Sequence, residues 1–119
     1  MDFAPASLRL EHLWQSATLA ATRHWEPFHP GIDISRLYGD GQTGAAAAFL
    51  RYQPGASVAL HRHVGYEHVF ILEGAQTDHN GVHGAGTLVI NPPGSRHRVV
   101  SESGCLALVI WEQPVVFED

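Results

Sequence analysis

At 119 residues the chain is long enough for one domain with a buried core and too short for two. Seven basic residues, all Arg, against twelve acidic ones give a formal net charge of -5 with no cluster of like charge, so neither a nucleic-acid-binding face nor attraction to an anionic membrane is expected. No apolar run approaches the ~18 residues of a membrane-spanning helix, Met1–Leu10 carries no secretion signal, and the single Cys105 cannot form an internal disulfide, so a cytoplasmic protein is expected.

Residues 1–24 mix Leu8, Leu10, Leu13, Trp14 and Leu19 with polar residues without a clean period, and are read as an N-terminal arm or short helix, expected to take part in a dimer. Pro27, Pro30 and Gly31 stop any helix. From there residues 25–119 read as one β domain. Strands are predicted at Ile32–Tyr38, Ala45–Tyr52, Ser57–His63, Tyr66–Leu72 (closing at Gly74), Thr87–Ile90, Arg96–Val100, Cys105–Trp111 and Val115–Phe117, with an Asn80-Gly81 hairpin turn between the fourth and fifth. About eight short strands separated by turn residues, with no room for crossover helices, predict an all-β sandwich or barrel.

The unusual count is nine histidines. His61 and His63 are two apart, so on a strand both imidazoles leave the same face. Glu67 opens the next strand, and His97 follows Pro92-Pro93-Gly94, where a hairpin fold can bring it back to the other three. Three imidazoles and a carboxylate suit one divalent transition ion per chain, among Fe(II), Mn(II), Zn(II), Ni(II), Co(II) and Cu(II). A His pair at this spacing is equally what a solvated strand face would carry. Val69 and Ile71 share parity with Glu67, and Val99 with His97, so these should line the same interior face. His68, Phe70 and Leu72 should face the opposite side. His79 and His83 flank the turn and are expected at the surface, while His12, His24 and His29 receive no role. Cys105 is expected to be a buried small hydrophobe.

The glycines and prolines around the four residues carry a family resemblance. Gly55–Gly74 (GASVALHRHVGYEHVFILEG) matches the first cupin motif, G-x5-H-x-H-x3,4-E-x6-G, in full. Gly86–His97 (GTLVINPPGSRH) matches the second, G-x5-P-x-G-x2-H-x3-N, up to its last position, where Ser101 stands for Asn. The chain therefore resembles the cupin superfamily, which implies a small jelly-roll barrel with His61, His63, Glu67 and His97 as metal ligands. Trp25–Gly31, Arg36–Gly39, Leu50–Ala56 and Asn91–Ser95 further resemble the ChrR-type cupins, a group that includes the metal-binding domain of zinc anti-sigma factors and an acetylacetone-cleaving dioxygenase.

That resemblance implies two classes of function. One is a metal-dependent oxygenase or isomerase acting on a small oxygenated molecule, with Glu67 able to leave the metal as a base. The other is a non-enzymic sensor or regulatory module. Phe49, Arg51, Tyr52, Arg98 and Trp111 are candidate residues around the site. With only about 24 residues ahead of the likeness, sigma-factor binding is not expected of this chain alone. A homodimer is expected. No Ser-His-Asp order, phosphate-binding glycine loop or CxxC pair supports a hydrolase, a nucleotide enzyme or a thiolate zinc site.

Overall fold

The computed structural model describes residues 6–118. One short helix and ten strands follow in chain order: α1 (Ser16–Thr22), β1 (Glu26–His29), β2 (Ile32–Tyr38), β3 (Ala46–Tyr52), β4 (Ala56–Arg62), β5 (Glu67–Asp78), β6 (Gly81–Gly84), β7 (Leu88–Asn91), β8 (Arg96–Ser101), β9 (Cys105–Trp111) and β10 (Val116–Phe117). The strand order is β1-β2-β3-β9-β5-β8-β4-β10, with β6 and β7 paired to β5, and every pairing is antiparallel. One layer holds β1, β2, β3, β9, β7 and the start of β5. The other holds β10, β4, β8, β6 and the end of β5. This is the all-β jelly-roll architecture expected from the sequence.

Two strands go beyond the expectation. β1 contains Pro27, which is tolerated because β1 is an edge strand paired only to β2. β6 is the return arm of the Asn80-Gly81 turn, with Thr77 opposite Val82. The larger correction concerns β5, predicted to close at Gly74 but continuing to Asp78. Gly74 is not a terminus but the bend that passes the strand from one layer to the other. Its φ is +74°, and a Cβ there would stand 2.0 Å from the Gly104 carbonyl oxygen, so only glycine fits. A register shift between Ile71 and Glu73 accompanies the bend.

The core lies between the layers and follows the two-residue period. Ile32 and Ile34, Ala48, Leu50 and Tyr52, Val69 and Ile71, Val99, and Cys105, Ala107 and Val109 form one buried cluster. Val69, Ile71 and Val99 face inward as predicted. Phe49 lies on the opposite face yet is 0% exposed. The Arg23 guanidinium, just after α1, stands 5.3 Å from its ring centroid, and Arg51 stacks 4.4 Å from Trp25. The N-terminal segment thus covers the outer face of its own domain at β2 and β3. Farther along that face Leu88, Ile90 and Ile110 are exposed, beside the half-buried His68 and Phe70. No helix among the described residues is long and apolar enough to cross a membrane.

Candidate metal centre

His61 and His97 stand opposite each other on β4 and β8, and His63 follows one residue beyond β4. Glu67 opens β5 from the other layer. All four are buried, with exposures of 4% for His61, 1% for His63, 5% for Glu67 and 6% for His97. One ring nitrogen from each histidine lies within 4.8 Å of the other two. The hairpin return expected of His97 therefore occurs.

The hydrogen bonds settle which nitrogens face the centre. His61 Nδ1 lies 2.8 Å from the Ala59 carbonyl oxygen, which can only accept. His97 Nδ1 lies 3.0 Å from Asp78 Oδ2, a carboxylate oxygen. His63 Nδ1 lies 2.8 Å from Ser95 Oγ, whose own proton goes to the Pro92 carbonyl at 2.6 Å. Each Nδ1 is thus the donor, so in the neutral ring each Nε2 carries the lone pair. Three lone pairs point at a common space. His63 Nε2 is buried there with no hydrogen-bond partner, an arrangement that costs about 1–3 kcal/mol unless a cation or proton fills it.

Glu67 lies beside the three histidines, although only their nitrogens all fall within 4.8 Å of one another. Its Oε1 is 3.2 Å from His63 Nε2 and 3.9 Å from His97 Nε2. Asn91 donates to Oε1 at 3.0 Å and Trp111 Nε1 to Oε2 at 2.7 Å, so a swing of this carboxylate off the centre breaks both bonds. Burial opposes its ionisation, but the His63 imidazole and the neighbouring His97 and His61 outweigh that and hold the carboxyl below its usual range. Burial also lowers the His61 pKa, which keeps that ring neutral and able to ligate. Three imidazole nitrogens, with a carboxylate beside them, suit a borderline divalent transition ion.

Behind His97 the contacts continue. Asp78, with a side chain 3% exposed, accepts from His97 through Oδ2 and contacts His83 Nε2 through Oδ1 at 3.0 Å. Burial raises its pKa, but the bonds from His97, His83 and the Asn80 amide prevail and keep it ionised below its usual range. His83 is therefore not a free surface residue: its side chain is 17% exposed and braced on Asp78, whereas His79 is exposed as expected. Ser101, in place of the motif's Asn, is fully buried; its hydroxyl donates to the Ala75 carbonyl and its own carbonyl accepts from the Gly55 amide, joining the ends of three strands.

A cavity of about 240 Å³ opens between the layers beside His61, Glu67 and His97. Val58, Val69, Val99, Val109 and Leu50 make it largely apolar, and Tyr52, Gln76 and Trp111 bring polar atoms to it. Phe117 of β10 pairs with His61 across the strands, and its ring lies 5.5 Å from those of His61 and His29. Glu118 anchors this last strand to Arg62 at 3.4 Å and Arg96 at 3.2 Å.

Of the five candidate surrounding residues, Tyr52 and Trp111 line the cavity, Phe49 and Arg51 lie on the outer face, and Arg98 lines a groove along β4 and β8. Cys105 is buried, as expected, and burial pushes its thiol pKa up. The sequence reading missed Asp78, Ser95 and Asn91, which brace the donors, and His29 and Phe117, which border the cavity. A signal existed for Ser95 and Asn91, since both flank the turn that delivers His97. None existed for Asp78, because its strand was ended too early.

A family profile described as the ChrR cupin-like domain matches residues 15–114. Similar folds occur in an RmlC-like cupin from Ralstonia eutropha (TM-score 0.72, 21% identity, covering 81% of this chain and 67% of that one). The anti-sigma protein ChrR, in complex with SigE of Rhodobacter sphaeroides, gives TM-score 0.68 at 23% identity over 90% of this chain and 70% of that one. An acetylacetone dioxygenase from Acinetobacter johnsonii gives 0.73 at 18% identity over 100% of this chain and 85% of that one. A second cupin-like Ralstonia protein is spanned only to 62% of its length. No curated protein matches the sequence.

Proposed function

The chain belongs to the ChrR cupin-like domain family, and on that premise we propose that it is a metal-dependent enzyme that oxygenates or isomerises a small oxygenated organic molecule. His61, His63, His97 and Glu67 hold one divalent ion, from the group zinc, Fe(II), manganese and nickel. The observation that carries this reading is the orientation of three Nε2 lone pairs by Ala59, Ser95 and Asp78, with His63 Nε2 buried and unpartnered. When bound, such an ion acts as a Lewis acid on a chelating oxygen and accelerates loss of a neighbouring proton.

The rest of the chemistry falls to the chain. Asn91 and Trp111 hold both oxygens of Glu67, which fixes the direction of its negative charge. The valines and Leu50 keep water from the reacting carbons. Burial pushes the Tyr52 hydroxyl pKa far up, so it faces the cavity as a neutral donor for a substrate oxygen. A cavity against the donor set is what distinguishes this reading from a closed structural zinc site, in which protein ligands leave no position open. The chemistry named for the Acinetobacter dioxygenase fits the same cavity, since a β-diketone presents two oxygens to one ion.

The test is elemental analysis of protein purified without added metal, followed by oxygen uptake with acetylacetone. About one transition ion per chain, absent from His97→Ala, together with uptake is the expected result. One ion per chain, neither oxygen uptake nor isomerisation, and no binding of a chelating ligand would overturn the enzyme reading in favour of a regulatory metal-binding module of the ChrR kind.

A further inference from the structure

Arg36 stands at the rim of the cavity and takes no part in the metal centre. On β2 the residues Ile32, Ile34 and Arg36 share one face by alternation, and the first two are core residues, 1% and 2% exposed. The third position of this apolar row is thus a guanidinium, exposed at the mouth and 6.0 Å from the ring centroid of Phe28, which also lines the cavity. Arg9, Arg51, Arg62 and Arg96 each have a carboxylate within 4 Å; Arg23, Arg36 and Arg98 have none among the described residues, and of these three Arg36 alone lines the cavity.

The Asp40 carboxylate, in the loop after β2, is turned to that loop's own amides through Oδ1 and forms no ion pair with Arg36. Asp40 accepts from the Gln42 amide at 2.8 Å and the Thr43 amide at 3.2 Å, which folds the 39–44 loop. These two backbone bonds hold Asp40 below its usual pKa range, with the charge of Arg36 only a minor influence. Gly41 in that loop has φ +75°, and a Cβ there would lie 3.2 Å from Arg36 Nη1. The loop passes close to the guanidinium without presenting a side chain to it at Gly41. Gly41, Gln42 and Gly44 line the same cavity. Among the described residues no acidic one does apart from Glu67.

We propose that Arg36 is a specificity residue and that the substrate is an oxo acid: two oxygens for the metal, a short apolar middle against Val69, Val109 and Leu50, and a carboxylate for Arg36 at the mouth. This rests on the enzyme reading above and narrows its substrate class. A planar guanidinium binds a carboxylate through two parallel hydrogen bonds, stronger than neutral ones. In a chain of net charge -5, an unpaired cation at the mouth also draws an anion towards it.

The experiment is anaerobic calorimetric titration of metal-loaded protein with heptane-2,4-dione and with 4,6-dioxoheptanoate, which share a diketone and a two-carbon apolar spacer and differ in a terminal methyl or carboxylate. The expected result is about tenfold or greater preference for 4,6-dioxoheptanoate, weakened by salt and brought near unity in Arg36→Gln. Arg36→Lys, which keeps the charge and loses the fork, should retain part of it. Equal affinities in the wild type, or a preference that survives in Arg36→Gln because the acid merely chelates better, overturn the inference and leave the enzyme reading standing. Failure of both compounds to bind the metal-loaded protein removes the enzyme reading, and the inference with it.

Discussion

The two ends of β5 carry two carboxylates that meet the three-histidine cluster in different ways. Glu67, at the start of the strand, faces the centre directly and lies 3.2 Å from His63 Nε2. Asp78, at its last residue and in the other layer, touches no donor space and acts through His97. Both are buried, and both are held ionised against that burial by imidazoles. The difference lies in what each charge faces: Glu67 sits against Nε2 of His63, whereas Asp78 decides which nitrogen of His97 is offered. Imidazole can present either nitrogen, so the partner of each Nδ1 selects the one that faces the centre.

Substitutions at the two ends should separate these roles. Glu67→Gln should have the largest effect, because it removes the only anionic donor and places an amide NH2 against Trp111 Nε1 or Asn91 Nδ2, both donors. Competition with a chelator should show metal affinity falling by more than the ~100-fold upper range typical of outer-shell losses. Asp78→Asn should follow, with a loss of about 10–100-fold. The asparagine amide can stabilise the wrong His97 tautomer, and the ring resonances in nitrogen-detected NMR should report the change. An affinity equal to wild type would remove the positioning role of Asp78.

The smallest effect concerns pH and the metal-free protein. Burial lowers the pKa of His61, and of His29 beside the cavity, from 6.5. Between their folded values and 6.5 the unfolded chain binds more protons, so stability should fall as pH drops below that point. Glu67 and Asp78 are lowered from 4.5 and 3.8, so their contribution is complete above those values and disappears only as pH falls through the folded ones. Chelator-treated protein should therefore lose thermal stability in two stages, near pH 6 and below about pH 4. His61→Asn should diminish the first, and Asp78→Asn the second. A single acid transition unaffected by either variant would contradict the assignment.

How much of this was legible in the sequence follows from range. The strand period alone placed His61 and His63 on one side, whereas Glu67, at the start of the next strand, was drawn in by the motif. His97 was reachable because a Pro-Pro-Gly turn precedes it. The inward parity of Val69, Ile71 and Val99 followed from the same period. What sets the tautomers was not legible, because Ser95 and Asp78 meet their histidines across strands 32 and 19 residues apart. Asp78 was further concealed by Gly74, which in a sequence reads as a strand end and in space is a fold within a continuing strand. β1 escaped notice for a related reason: its prolines forbid an interior strand and permit an edge.

The tenth strand has a practical consequence. Phe117 rests against His61, and Glu118 clasps two arginines, so the carboxyl-terminal tail is the cover of the donor set. Trimming it back with carboxypeptidase to Pro114 would strip β10 from the edge of its layer and unroof the imidazole. A purification handle appended after this strand should likewise disturb the centre.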